Sequence, residues 1–177
     1  QGEKKWTTNA SRATIITCFA VTDPKSRSRR ISAFIVESPD PGYSIKKLEN
    51  KMGIRAVPVA ETIFDNVQLS DDRLLGGKPG LGFKHSMMTL DLARPGVAAQ
   101  AVGTAAGALE LAVTYAGRRK QFGQPIAGFQ MIQAMLADMA QQTEAARWLT
   151  YACAAKADAG AKNVTKMAAM AKCFATD

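Results

Sequence analysis

Leu75-Gly76-Gly77-Lys78-Pro79-Gly80-Leu81-Gly82 divides the chain into two halves with different periods. Upstream, short β-branched and aromatic runs stop at turn residues. Residues 13–21 end at Asp23-Pro24, and residues 31–36 are closed by Ser38-Pro39-Asp40-Pro41-Gly42. Tyr43–Leu48 and residues 59–69 supply two more runs, the last with imperfect alternation. Short strands between turn signals predict an antiparallel sandwich or barrel rather than βαβ units.

Downstream, residues 83–119 are rich in Ala, Leu and Met. From Phe129 onward, apolar side chains recur at Ile132, Leu136, Met139, Ala146, Leu149 and Cys153, in steps of three or four with one longer gap. That period marks an amphipathic helix of about 30 residues. A third helix is expected after Asp158-Ala159-Gly160, with Asn163 or Thr165 near its cap. Pro95-Gly96 should bend the first helix, and helices this long need neighbours to pack on. The fold class expected is α+β: a β-sandwich or barrel domain over 1–74, then long helices of an antiparallel bundle over 75–177. Trp6 so near the start, and a last helix without Gly or Pro to stop it, lead us to expect a fragment of a larger protein.

The chain has 177 residues, of which 47% are apolar and 21% charged. That composition excludes disordered and collagenous classes. Cys18, Cys153 and Cys173 are odd in number and lack metal-ligand spacing, so free thiols fit better than a disulfide framework. No stretch reaches the roughly 18 consecutive apolar residues of a membrane span, and no signal-peptide pattern follows Gln1. The net charge of +8 is spread along the chain, 12 basic against 9 acidic residues before Leu75 and 11 against 6 from there on. Its one cluster, residues 25–30, has no aromatic beside it and reads as the solvated tip of a hairpin, not a nucleic-acid surface.

Four local patterns bear on chemistry. Lys5-Trp6-Thr7-Thr8-Asn9-Ala10 is either a strand entering a turn or a flat aromatic wall beside hydroxyl and amide groups. Lys51-Met52-Gly53-Ile54-Arg55-Ala56 suits a turn with Gly53 at positive φ. Asp91 and Arg94, three apart before Pro95, either pair with each other or face a polar ligand. Arg118-Arg119-Lys120 complements a helix C-terminus, yet Arg is also the preferred bidentate partner of pyrophosphate. His85, the single histidine, has no carboxylate or nucleophile near it in sequence and reads as structural.

Taken together and in order, these segments resemble the acyl-CoA dehydrogenase family. The resemblance covers essentially the whole chain: Trp6-Thr7-Thr8-Asn9-Ala10, Lys51-Met52-Gly53-Ile54-Arg55, Phe64-Asp65-Asn66-Val67, Gly80-Leu81-Gly82-Phe83, and Arg94 with Ala98-Ala99-Gln100-Ala101-Val102-Gly103. It continues through Arg119-Lys120-Gln121-Phe122-Gly123-Gln124-Pro125-Ile126, Phe129-Gln130 and Leu136-Ala137-Asp138-Met139 to Ala145-Ala146-Arg147.

The resemblance implies part of a middle β-domain followed by two helices and part of a third of a C-terminal bundle. It also implies FAD, with Trp6 against the flavin ring and Thr8 near its N5 edge. Arg119, Phe122 and Gln130 would reach the adenine–pyrophosphate half of an FAD bound mainly to a neighbouring subunit, which makes a homo-oligomer, usually a tetramer. Asp91 and Arg94 would lie along the acyl-CoA site. The implied reaction is α,β-dehydrogenation to the trans-2-enoyl-CoA, with electrons passed to electron-transfer flavoprotein, in a bacterial cytoplasm or a mitochondrial matrix. The catalytic Glu of most members would lie beyond Asp177. A minority place it immediately before the Arg, where this chain has Ala93. The chain itself is therefore expected to lack turnover. Competing readings are an acyl-CoA oxidase relative and a non-catalytic helical module that binds CoA or a partner.

Overall fold

The computed structural model describes residues 1–161 and 163–177. It divides into two compact units, Gln1–Ser86 and Met87–Asp177. The first holds five strands: β1 (Gly2–Thr8), β2 (Ile15–Val21), β3 (Ile31–Glu37), β4 (Tyr43–Leu48) and β5 (Val59–Phe64). They form an antiparallel sheet in the order β1-β5-β4 and a separate β2–β3 hairpin. The antiparallel reading of this half therefore holds.

Two local expectations change. The strand drawn over 59–69 stops at Phe64, because Asp65 N–H turns back to the Gly42 carbonyl (2.8 Å) and Asn66 takes a φ of 50°. In the 51–56 turn the left-handed residue is Ile54 (φ 50°), not Gly53. The Lys51 ammonium, which donates to the Ile54 carbonyl at 2.7 Å, ties that turn across.

The glycine-rich stretch between the halves lies along β3. Leu75 N–H donates to the Ala33 carbonyl (2.9 Å), and Leu74 bridges Phe34. The wholly buried Ser32 hydroxyl accepts from Gly80 N–H at 2.8 Å and shares a 2.7 Å hydrogen bond with Thr22. Such closeness requires glycine: a Cβ on Gly82 would stand 2.7 Å from the Ser32 carbonyl carbon. Beyond β2, the Asp23 carboxylate accepts from Lys25 and Ser26 N–H groups, and the Ser26 hydroxyl from Arg29 N–H. The basic cluster is thus a turn closed by its own side chains, and its charged residues are exposed.

Helix α1 (Gly82–Arg118) begins in the first unit and continues into the second. The second unit adds a small hairpin, β6 (Lys120–Gln121) and β7 (Gln124–Pro125), then α2 (Gln130–Asp158) and α3 (Thr165–Thr176). Its core is made of small side chains: Ala98, Cys153, Ala168 and Ala171 are fully buried, with Leu149, Met167 and Ala175 against them. The longer gap in the α2 stripe is filled by buried Thr143, and Thr150 joins it, giving steps of four and three from Ile132 to Cys153. Thr150 fits an apolar face because its hydroxyl donates to the Ala146 carbonyl of its own helix (2.8 Å).

Among the described helices α1 alone is long and apolar enough to cross a bilayer by length and composition. Its apolar stretch is chiefly alanine, broken by Gln100, Thr104 and Glu110, and Ala98 lies inside the helical core.

Gly82→Ala should destabilise the protein by about 2 kcal/mol, because the added methyl meets backbone that cannot move aside cheaply. Gly103→Ala, where a Cβ meets nothing, should instead gain about 0.5–1 kcal/mol from helix propensity. Chemical denaturation midpoints of the two variants check both signs.

Candidate functional site

Three groups of side chains stand out, one in the first unit and two in the second. In the first unit, β1 carries a bulge. Lys4 pairs with Thr62 and Thr7 with Ala60, so Lys5 and Trp6 together oppose Glu61. The extra residue puts Trp6 at a φ of 55°, a region that a bulky L-residue rarely enters. The Lys5 ammonium helps to hold the bulge through Glu61 (3.4 Å). Trp6 is 72% exposed and, with Thr7 and Thr8, lines a cleft of about 970 Å³ between the three-stranded sheet and the β2–β3 hairpin. The strand reading and the aromatic-wall reading of residues 5–10 are therefore compatible: the strand bulges, and the bulge presents the ring.

In the second unit, α1 ends in a two-residue hairpin turn. Lys120 pairs with Pro125 and Gln121 with Gln124, while Ile126 N–H closes onto the Arg119 carbonyl at 2.8 Å. The turn residues Phe122 (φ 50°) and Gly123 (φ 80°) both have positive φ, the arrangement of a type I′ turn. Asn-Gly is the usual sequence there; here the first position is a phenylalanine, 90% exposed. Its ring stands nearly perpendicular to that of Phe129, centroids 6.1 Å apart. Arg119 and Gln130, one before the hairpin and one opening α2, are also exposed. An exposed aromatic on strained backbone is where function is to be sought.

The third group is on α1. Arg94 Nη1 donates to Asp91 Oδ1 at 3.3 Å, so these two pair with each other. Asp91 Oδ2 accepts from the Thr165 hydroxyl at 2.6 Å, linking α1 to the start of α3. Burial pushes the Cys153 thiol above its usual range, and the Asp91 carboxylate adds to the shift. Ala93, between Asp91 and Arg94, is exposed. His85, half-buried, packs over Gly76, consistent with its structural reading.

Comparison with known proteins shows what this arrangement belongs to. The acyl-CoA dehydrogenase middle-domain model matches residues 1–67, and the C-terminal-domain model matches residues 80–177. The chain belongs to the acyl-CoA dehydrogenase family.

A probable acyl-CoA dehydrogenase of Mycobacterium leprae is 49% identical over 99% of this chain and 45% of its own length. The mitochondrial short-chain specific acyl-CoA dehydrogenase of Bos taurus is 48% identical over 99% of this chain and 42% of its own. The solved structure of butyryl-CoA dehydrogenase from Megasphaera elsdenii superposes with a TM-score of 0.93 at 46% identity, covering 98% of this chain and 45% of that one. The chain thus spans a little under half the length of these relatives.

The structure brings together Asp91 with Arg94, and Phe122 with Phe129 beside Gln130. Trp6 and Thr8 lie along one strand of the first unit. Sequence reading missed Thr165 as a partner of Asp91, since 74 residues separate them. It placed Thr165 near a cap; the N-cap position is Val164, which makes no side-chain cap.

Phe122→Asn should raise stability by about 0.5–1 kcal/mol, because Asn tolerates the left-handed region and little ring burial is lost. A shift of the denaturation midpoint to higher denaturant checks this.

Proposed function

We propose that this chain is part of a flavoenzyme that removes hydrogen across Cα–Cβ of an acyl-CoA thioester, giving the trans-2-enoyl-CoA. One observation carries the reading: two aromatic side chains, Trp6 and Phe122, are held exposed on backbone that both residue types disfavour. Trp6 has the Thr8 hydroxyl on the same strand, and Phe122 has Arg119 just before its hairpin and Gln130 at the start of α2 after it. Flat faces beside a hydroxyl, an amide and a guanidinium suit an isoalloxazine ring and an adenine–pyrophosphate tail. In this reading Trp6 and Thr8 hold the ring of FAD, and Arg119, Phe122 and Gln130 hold the dinucleotide end of an FAD bound mainly by a second copy. That sharing makes the enzyme a homo-oligomer, a tetramer in the reading favoured here. The middle domain then takes in residues 1–74, and the helical domain residues 75–177.

FAD, when bound, supplies a two-electron acceptor for the hydride leaving Cβ. The protein has to orient the thioester and take the α-proton, and orientation is a large part of such a rate. Arg94 meets the adenine and phosphate end of CoA, with Asp91 beside it. In this reading, which follows the family resemblance, the base is a carboxylate, one of the side-chain types that can move such a proton. Ala93 cannot take a proton, and both oxygens of Asp91 are engaged, by Arg94 and by Thr165. We therefore assign the base to a Glu outside residues 1–177, and the chain alone to no turnover. Electrons pass on to electron-transfer flavoprotein. Relatives in a mycobacterium and in a mitochondrion fit a bacterial cytoplasm or a mitochondrial matrix.

The visible spectrum after saturation with FAD and removal of unbound flavin tests the cofactor assignment. Arg119→Ala in the complete enzyme should weaken FAD retention by about tenfold, the order expected for one charge-assisted contact, and leave thioester binding unchanged. Unaltered flavin occupancy after long dialysis refutes the role given to Arg119.

A further inference from the structure

Arg94 is useful to a ligand only if its guanidinium points in one direction. A flexible side chain loses rotamer freedom on binding, and pre-organisation removes that cost. The structure shows what fixes it. Asp91 Oδ1 takes Nη1 of Arg94 at 3.3 Å, three residues on along α1. Asp91 Oδ2 takes the hydroxyl of Thr165 at 2.6 Å, from the first residue of α3. With one oxygen anchored to another helix, the carboxylate plane is set by tertiary structure and not by its own χ angles. Among the five donors of a guanidinium, the one held by this carboxylate fixes where the others aim.

Two features make the anchor specific. The N-cap residue Val164 makes no side-chain cap, and the Asp91 carboxylate from α1 stands at the positive end of that helix. Pro95 has no N–H to give to the main-chain carbonyl of Asp91 four residues earlier, so the ordinary helical bond is missing at that residue. The side-chain bonds to Arg94 and Thr165 thus stand where regular helix bonding is interrupted.

We infer that Thr165 is a positioning residue for the acyl-CoA site, acting on Arg94 through Asp91. The inference rests on the reading that Arg94 meets CoA. It assigns Thr165 no contact with the thioester or with FAD.

A double-mutant cycle in the FAD-loaded holoenzyme, with butyryl-CoA as the probe, decides it. Thr165→Val keeps the side-chain shape and removes the hydroxyl. KM should rise about fivefold, the scale of one hydrogen bond to a charged group at a partly exposed site, while kcat stays within twofold and flavin content is unchanged. Thr165→Ser should restore KM. In an Arg94→Gln background, Thr165→Val should add nothing, because both changes remove one interaction. An unchanged KM in Thr165→Val beside a raised KM in Arg94→Gln overturns the role of Thr165 alone. A full additive effect of Thr165→Val on top of Arg94→Gln also overturns it, by showing that Thr165 acts elsewhere. An unchanged KM in Arg94→Gln refutes the placement of Arg94 at CoA, and this inference with it. If Thr165→Val fails to accumulate as folded holoenzyme, Thr165→Ala, which suits a helix better, is judged by the same outcomes.

Discussion

The helical unit depends on one steric constraint: where its three helices meet, no fully buried side chain among the described residues is larger than a cysteine. Ala98 of α1, Cys153 of α2 and Ala168 and Ala171 of α3 fill that point. Small side chains let helix axes approach, and the approach brings polar groups of different helices into hydrogen-bond range. The Asp91–Thr165 bond is such a contact, one helical turn or two from the packed point on each element. A larger residue at Ala98 would cost about 1–3 kcal/mol as overpacking and would strain the nearby Asp91–Thr165 contact. Packing and site geometry are one constraint here.

The first unit is organised by close approach of a different kind. Ser32, wholly buried, ties the end of β2 to the stretch that follows the sheet, and Gly80 against Arg29 and Gly82 against Ile31 and Ser32 let that stretch lie close along the start of β3. This fixes the start of α1 by backbone contacts within the unit. The polar atom in the core is satisfied on two sides, so its burial does not carry the penalty of an unpaired hydroxyl. By contrast, the non-glycine residues with positive φ, Trp6, Asn9, Ile54, Asn66 and Phe122 among the described residues, all lie at bulges, turns or strand ends, where neighbouring pairs determine the backbone.

Strand and helix positions were readable because their signals are local. Pro and Gly clusters end the strands, and a three-to-four step marks α2, so the main strands and the three helices follow in order from the sequence, whereas the β6–β7 hairpin after α1 was not foreseen. What was not readable depends on partners. Thr143 and Thr150 look polar in sequence, and only the bond from Thr150 to its own helix shows why it belongs in an apolar stripe. Gly53 looked like the left-handed residue, yet the Lys51 clamp puts that conformation on Ile54. The candidate site residues came from the family pattern, whereas their geometry came from distant pairings. Nothing local says that Trp6 or Phe122 should adopt positive φ; local sterics argue the opposite. The bulge against Glu61 and the hairpin closed by Ile126 impose it.

Those two positions and Asp91 share a physical logic. In each, regular hydrogen bonding is interrupted: by a bulge in β1, by a tight turn after α1, and by Pro95 within α1. Interruptions free backbone groups and redirect side chains, which regular strands and helices do not allow. Each interruption costs stability and has to be held by something else in the fold. At β1 it is the Lys5–Glu61 pair, at the hairpin the Ile126–Arg119 bond, and at α1 the carboxylate of Asp91 bound on both oxygens. Of the three, only the last uses a side chain that also faces a proposed ligand group. The hold on α1 and the orientation of Arg94 are therefore the same interaction, and a change in either should be felt in the other.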